Sequence, residues 1–186
     1  MKLIVAFCKN RGIGFNNNIP WRLTADIRRF RKVTVGNGSN AVIMGRNTWD
    51  SLPENYKPLP KRANIVLTSK VDIYSRRFGD TGTTFVSSIG EAQDFCEKEG
   101  FEDTWVIGGE KIYKSFLKKN LITDIHTTQL KKSLRCDAFF PEIPDHFRLQ
   151  GMSPKTAASQ KDGRHEYIFA TYRHKYTYND FSLVKF

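Results

Sequence analysis

Short, continuously apolar, β-branched runs recurring between amphipathic stretches constrain this chain more than any other feature. Lys2 to Cys8, Ala41 to Met44, Ala63 to Thr68 and Trp105 to Ile107 are too short for helices and too uniformly apolar for one-sided strands. Strands buried on both faces read this way, as in a parallel sheet covered by helices. Helical patterns lie between them: Thr24 to Val33, with Thr24 as its N-cap, Thr48 to Leu52, Gly90 to Lys98 and Glu110 to Lys119. Asp124 to Lys131 and Glu166 to His174 are longer strands, the second alternating through Tyr167, Phe169, Thr171 and Arg173. They predict a closing antiparallel hairpin. The expected fold is α/β: a single domain with a central, mostly parallel β-sheet, a C-terminal antiparallel hairpin and helices on both faces. Residues 1–176 are expected to form it, and 177–186 an extension with no clean period and no assignable role.

A chain of 186 residues, 39% hydrophobic, suits one core. No repeat, linker or low-complexity tract divides it. The run Leu3 to Cys8 stops at Lys9-Asn10-Arg11, too soon for a signal segment or a membrane span. Cys8, Cys96 and Cys136 are odd in number and scattered, without metal-ligand spacing. Free thiols in a reducing compartment, the cytoplasm, are expected, with no metal. Lys and Arg outnumber Asp and Glu by 30 to 19, a formal charge of +11. Such a surplus favours nucleic acid or small polyanions. The basic residues are spread along the chain rather than gathered, so a solvated basic surface is expected and no specific nucleic-acid partner.

Asp26 is the most informative residue. On the helix from Thr24, positions 23, 26, 27, 30 and 33 share a face, and the other four are Leu23, Ile27, Phe30 and Val33. A carboxylate in an apolar stripe is costly to bury unless hydrogen-bonded. A side chain near a helix start that reaches solvent fits the pattern equally well. A half-buried acid beside an aromatic does, however, suit a flat heterocycle offering two donors along one edge.

Glycines mark three strand ends: Gly12 and Gly14, Gly45, and Gly108-Gly109. Ligands of open α/β sheets sit beyond the carboxyl ends of strands, where glycine allows close approach. A helix beginning at Glu110 offers free N–H groups to phosphate. Arg46, Lys70 and Lys111 follow these turns, and convergent cations suit the extra 2′-phosphate of NADPH over NADH.

With these residues in place, the sequence resembles the dihydrofolate reductase family. Gly12-Ile13-Gly14-Phe15 followed by Ile19-Pro20-Trp21-Arg22-Leu23 is similar to its active-site loop. Asp26 and Phe30 stand where its acid and ring-packing aromatic are found. Val42 to Trp49 resembles its cofactor signature, Leu59-Pro60-Lys61-Arg62 its folate-tail site, and Val106-Ile107-Gly108-Gly109 with Tyr113 completes the set. The likeness runs in order from Lys2 to about Lys175.

The resemblance implies roles. Asp26 would hold the pteridine, hydrogen-bonded to Thr128, with Trp21 holding a water nearby. The carbonyls of Ile4 and Ile107 would meet the 4-amino group of antifolates, and Val5 would line that pocket. Phe30 and Leu52 would sandwich the ring and aminobenzoyl portion. Arg62 would clamp the glutamate α-carboxylate, helped loosely by Lys57. The nicotinamide would lie against Ala6, Ile13, Gly14, Asn18 and Ile19. The rest of NADPH would meet Gly45, Arg46, Asn47, Thr48, Leu67, Thr68, Ser69 and Lys70, and then Gly108, Gly109, Glu110, Lys111, Ile112 and Tyr113. A cis peptide between Gly108 and Gly109 is also implied. Hydride would pass to C6 and a proton to N5 from water, while the loop Phe15 to Trp21 closes over the nicotinamide. Asn16, Asn17 and Asn18 suit such a loop because they tolerate positive φ. The partners implied are dihydrofolate and antifolate inhibitors, with a monomeric enzyme.

Two other readings share part of this pattern. A riboflavin-pathway reductase on the same fold keeps the glycine turns and cations but need not combine Asp26, Pro20-Trp21 and Arg62. A nucleic-acid module would explain the charge and leave Asp26 unexplained. Lineage markers are mixed: the shorter acid Asp26 is typical of bacterial members, whereas Pro53-Glu54-Asn55 and Phe139-Phe140-Pro141-Glu142-Ile143 look eukaryotic.

Overall fold

The computed structural model describes residues 1–158 and 162–176. Among these, β1 (Lys2–Phe7), β3 (Ala41–Gly45), β4 (Ala63–Leu67), β5 (Thr83–Val86), β6 (Thr104–Gly108), β7 (Asp124–Leu130), β9 (Phe147–Met152), β10 (Thr156–Ala157) and β11 (Glu166–His174) form a nine-stranded sheet. Its order is β10-β11-β7-β1-β6-β3-β4-β5, with β9 also pairing β11. β2 (Gly12–Gly14) and β8 (Ala138–Phe139) make a separate two-stranded ribbon. The pairs from β5 across to β7 are parallel, and β11 lies antiparallel to β7. The expected α/β architecture with an antiparallel C-terminal pair is what forms.

The helices are α1 (Thr24–Val35), α2 (Arg46–Ser51), α3 (Val71–Phe78), α4 (Ile89–Glu99) and α5 (Glu110–Lys118). From β1 the chain steps outward through β3 and β4 to β5, carrying α1, α2 and α3; it returns through β6 to β7, carrying α4 and α5. Crossovers between parallel strands are right-handed, so reversing the direction of travel moves the helices to the opposite face. The two cores show this. Ile4, Val42, Met44, Val66 and Trp105 point one way, with Trp49 buried among them and Phe30, Val33, Tyr74 and Phe78 packed on them. Leu3, Val5, Ala41, Ile43 and Val106 point the other way, against Ala92, Cys96, Tyr113, Phe116 and Leu117. Alternate residues of one strand thus serve opposite cores, which is why the strands read as unbroken apolar runs.

Several local expectations change. Thr24 is not an N-cap: it is the first helical residue, and Leu23 occupies the cap position without a side-chain bond. The cap comes from afar, because Asp162 Oδ2 accepts from Thr24 N at 2.9 Å and Oδ1 from Thr24 Oγ1 at 2.8 Å. α1 runs two residues beyond Val33, and α2 begins at Arg46 rather than Thr48. Ile27, assigned to the apolar stripe, is 60% exposed, whereas Thr34 is fully buried and donates to Phe30 O. α3, β2, β5, β8, β9 and β10 are additions to the expected elements. The proposed extension 177–186 lies outside the described residues.

Gly12 also needs reinterpreting. A Cβ there would overlap the Cys136 Sγ and come within 2.6 Å of Cys136 Cβ and 3.1 Å of Cys8 Sγ. Its missing side chain makes room for a protein thiol rather than for a ligand. The scattered cysteines therefore partly converge: all three are free thiols, and the Cys8 and Cys136 sulfurs are 3.9 Å apart. Gly12→Ala is expected to destabilise the fold by about 1–3 kcal/mol, as overpacking does. Cys136→Ala should recover only part of this, because the sulfur goes while its Cβ stays. Urea denaturation of both single variants and the double variant measures this coupling, and strict additivity would contradict it.

Candidate active site

The opening lies where β1 and β6 part. Their ladder is registered only at Lys2↔Trp105 and Leu3↔Val106, whereas β1 stays paired to β7 from Lys2 to Phe7. Beyond Leu3 the edges of Ile4, Val5, Ala6 and Ile107 therefore lie where the two strands no longer pair, at their carboxyl ends. Direction reverses between these two strands, and ligands of open α/β sheets bind at such a switch point. Tyr113, from α5, donates its hydroxyl to Ile4 O at 2.8 Å, so this carbonyl already holds one of the two hydrogen bonds it can accept. Burial pushes the Tyr113 phenol far above its ordinary range, so it stays a donor.

Asp26 enters from the first turn of α1. Thr128 Oγ1 donates to Asp26 Oδ1 at 2.6 Å. Burial raises the carboxyl above its usual range, and the Thr128 bond and the charge of Arg29 oppose that rise. Asp26 is thus partly buried and held from β7, with Phe30 one turn further along. Leu23 is buried with Leu130 and Tyr167, and Trp21 packs on this group.

At the other end of α1, Arg62 spans two elements. Its Nη1 donates to Thr34 Oγ1, its Nε donates to Pro60 O at 3.0 Å, and its guanidinium lies 5.7 Å from the Phe30 ring centre. Burial, with the Arg31 charge, lowers its pKa to about 10, still well above neutral pH. Lys57 stands differently. Its ammonium donates to Glu54 at 2.9 Å and to Asp50 O at 3.3 Å, tying its own loop. Leu52 packs on the same core as Phe30.

The loop after β2 is anchored. Phe15 and Asn18 form an antiparallel bridge, and Asn16 and Asn17 between them have φ of 48° and 61°. Asn16 N donates to Asp137 Oδ2 at 2.8 Å, and Arg135 covers Phe15 at 4.8 Å. β2 pairs with β8, and Phe139 N donates to Glu110 Oε2 at 2.9 Å, linking this ribbon to the start of α5. Ile13 and Gly14 lie in β2, and Ile19 is 65% exposed at the loop's end.

Two helix starts meet beyond β3 and β6. α2 follows Gly45 and α5 follows Gly109, neither with a side-chain cap. A Cβ on Gly109 would reach Thr48 Oγ1 at 3.2 Å, and one on Gly45 would lie 2.8 Å from Ile112 Cγ1. The Gly108-Gly109 peptide is cis. Uncapped N–H groups at two adjacent helix ends are the kind of arrangement that attracts an anion. The cation set fits a phosphate-bearing dinucleotide: Arg46 and Asn47 open α2, Lys70 precedes α3 after Leu67, Thr68 and Ser69, and Lys111 is in the first turn of α5. Arg46 is held by Asp50 at 2.9 Å, and Tyr74 donates to the same carboxylate.

Residues absent from the expected set are Arg29, His126, Asp137 and Asp162. Arg29 was legible as a charge one turn from Asp26 on the same helix; the other three act from segments far away in sequence. No helix among the described residues is long and apolar enough to cross a membrane.

Comparison with known proteins gives a consistent result. The family model described as dihydrofolate reductase matches residues 1–174. The chain is similar to the dihydrofolate reductase of Heliothis virescens, 38% identical over 179 residues, covering 93% of this chain and 96% of that protein. It is 36% identical to that of Aedes albopictus, covering 79% and 82%, and 33% identical to that of Drosophila melanogaster, covering 78% and 81%.

Proposed function

The chain belongs to the dihydrofolate reductase family, and on that premise we propose how its residues divide the work. The reaction is reduction of dihydrofolate to tetrahydrofolate, with NADPH as the cofactor that supplies the hydride. The observation that carries the assignment of roles is the half-buried Asp26, held by Thr128 beside the parting of β1 and β6. Asp26 receives the donors along the pteridine edge and biases the ring toward accepting hydride at C6. The proton for N5 arrives through water, which Trp21 keeps beside the carboxylate. Ile4, Val5 and Ile107 line the ring's pocket, Phe30 and Leu52 hold the ring and aminobenzoyl group, and Arg62 takes the glutamate α-carboxylate. Lys57 contributes only to the field around the tail.

Ala6, Ile13, Gly14, Asn18 and Ile19 cover the nicotinamide and exclude water. Gly45 to Thr48 and Gly108 to Tyr113 receive the pyrophosphate, and Arg46 with Leu67 to Lys70 receives the adenosine and its 2′-phosphate. The free thiols support a reducing, cytoplasmic setting, and we read residues 1–176 as one catalytic unit acting as a monomer. The test is dihydrofolate-dependent loss of NADPH absorbance at 340 nm, abolished by methotrexate. In that assay Arg46→Ala should erode the preference for NADPH over NADH by roughly tenfold or more, the cost of losing one charge-assisted phosphate contact. An unchanged cofactor ratio would place the 2′-phosphate elsewhere.

A further inference from the structure

We propose that Arg29 is a positioning residue for Asp26. Its guanidinium locks the first turns of α1 onto β7 and supplies the positive charge that keeps the substrate-orienting carboxylate ionised. This rests on the role just given to Asp26, and it concerns a residue for which that role provides no explanation.

The geometry is specific. Arg29 lies three residues after Asp26 and is therefore its neighbour on the helix. Its Nη1 donates to Thr127 O at 3.3 Å, the carbonyl next to the residue that holds Asp26. Its Nη2 lies 3.4 Å from His126 Nδ1. The guanidinium covers the Phe169 ring at 4.7 Å, and Phe169 is the strand partner of Thr128. One side chain thus touches β7 at the two residues before Thr128 and packs on the strand behind it. The aromatic face, the carbonyl and the imidazole lock the planar fork in a way a flexible ammonium does not reproduce.

The charge matters as much as the clamp. A half-buried cation is costly to hold, and Asp26 is the carboxylate whose field favours it. Reciprocally, burial drives the Asp26 carboxyl upward while Arg29 and the Thr128 hydroxyl pull it back. Among the described residues, the neighbouring titratable groups of β7 and α5 supply no positive charge at neutral pH. His126, on β7, is held neutral, with a pKa of about 4, by burial and by Arg29 itself, and it stacks edgewise on Trp105. Tyr113, from α5, is neutral. Lys2, Asp103 and Asp124 act on His126, and none of them is among the charges that act on Asp26. Among the described residues, Arg29 is therefore the cation whose field acts on the Asp26 carboxyl.

The test follows Asp26 directly, by carbon NMR of aspartate-labelled enzyme through a pH titration. In Arg29→Gln, whose stem still covers Phe169, the Asp26 midpoint should rise by about one unit. In Arg29→Lys, which keeps the charge and loses the fork, it should stay near the wild-type value while the KM for dihydrofolate rises. Arg29→Met replaces the glutamine variant if that one does not fold. An Asp26 midpoint unmoved in the neutral variant overturns the proposal whatever the kinetics show. A midpoint that moves while the pH profile of kcat/KM stays fixed upholds Arg29's action on the carboxyl and instead refutes the role given to Asp26.

Discussion

Asp26→Asn is expected to lower kcat/KM at pH 7 by roughly two to three orders of magnitude, the usual result of removing a charge aimed at a developing transition state. Asparagine is nearly isosteric and can still accept from Thr128, so the pocket should persist and ground-state binding should fall far less than turnover. Part of the rate should return at low pH, where dihydrofolate itself carries the proton that N5 requires. The same substitution should stabilise the fold. Burial raises the Asp26 carboxyl above its unfolded value, so the folded state binds its proton more readily. Ionised Asp26 therefore costs stability at pH values above its folded midpoint, and the cost fades as pH falls through that midpoint toward the unfolded value. The neutral amide of the variant carries no such cost. Its melting temperature should exceed that of the wild type at pH 7, with the gap narrowing on acidification. A variant as active as the wild type at pH 7, or one less stable there, would contradict the assignment.

What could be read in advance follows from the range of the forces. The strands of the sheet centre were legible because burial on both faces leaves an unbroken apolar signature, and Ala41–Gly45 or Thr104–Gly108 needs no partner to display it. Asp26 stood out because a carboxylate in an apolar stripe violates a local rule, although Ile27 of that stripe proves exposed. α3 was missed because Asp72, Arg76 and Arg77 mask an apolar face, Val71, Tyr74 and Phe78, that exists only against Trp49 and Phe85. The cap of α1 was misread for the same reason. Thr24 carries the right chemistry in the wrong position, and the true acceptor, Asp162, lies 138 residues away. Gly12 shows the limit most sharply: glycine after a strand reads as room for a ligand, yet here the space belongs to Cys136. Sequence patterns report burial and local capping well, but they do not report which distant atom fills a gap.

Arg62→Leu is expected to weaken dihydrofolate binding by about 3 kcal/mol, since it removes one partner of a desolvated ion pair, or roughly a hundredfold in Kd. The guanidinium is prepared for that partner. Thr34, Pro60 and the Phe30 ring engage Nη1, Nε and its face, which fixes the plane of the fork. Arg31 adds like charge beside it, so an anion arriving there relieves a repulsion as well as forming a bond. Leucine strands no buried polar group, because Thr34 still donates to Phe30 O and Pro60, which loses the Nε donor, is an exposed residue. The loss should therefore appear in binding and not in folding. The discriminating ligand is one without the glutamate tail: a bare pterin should bind wild type and variant alike, as should NADPH. If affinity for the pterin or for NADPH fell as far as affinity for dihydrofolate, Arg62 would be acting through the shape of α1 rather than on a carboxylate, and the tail would have to lie against other cations of the cleft.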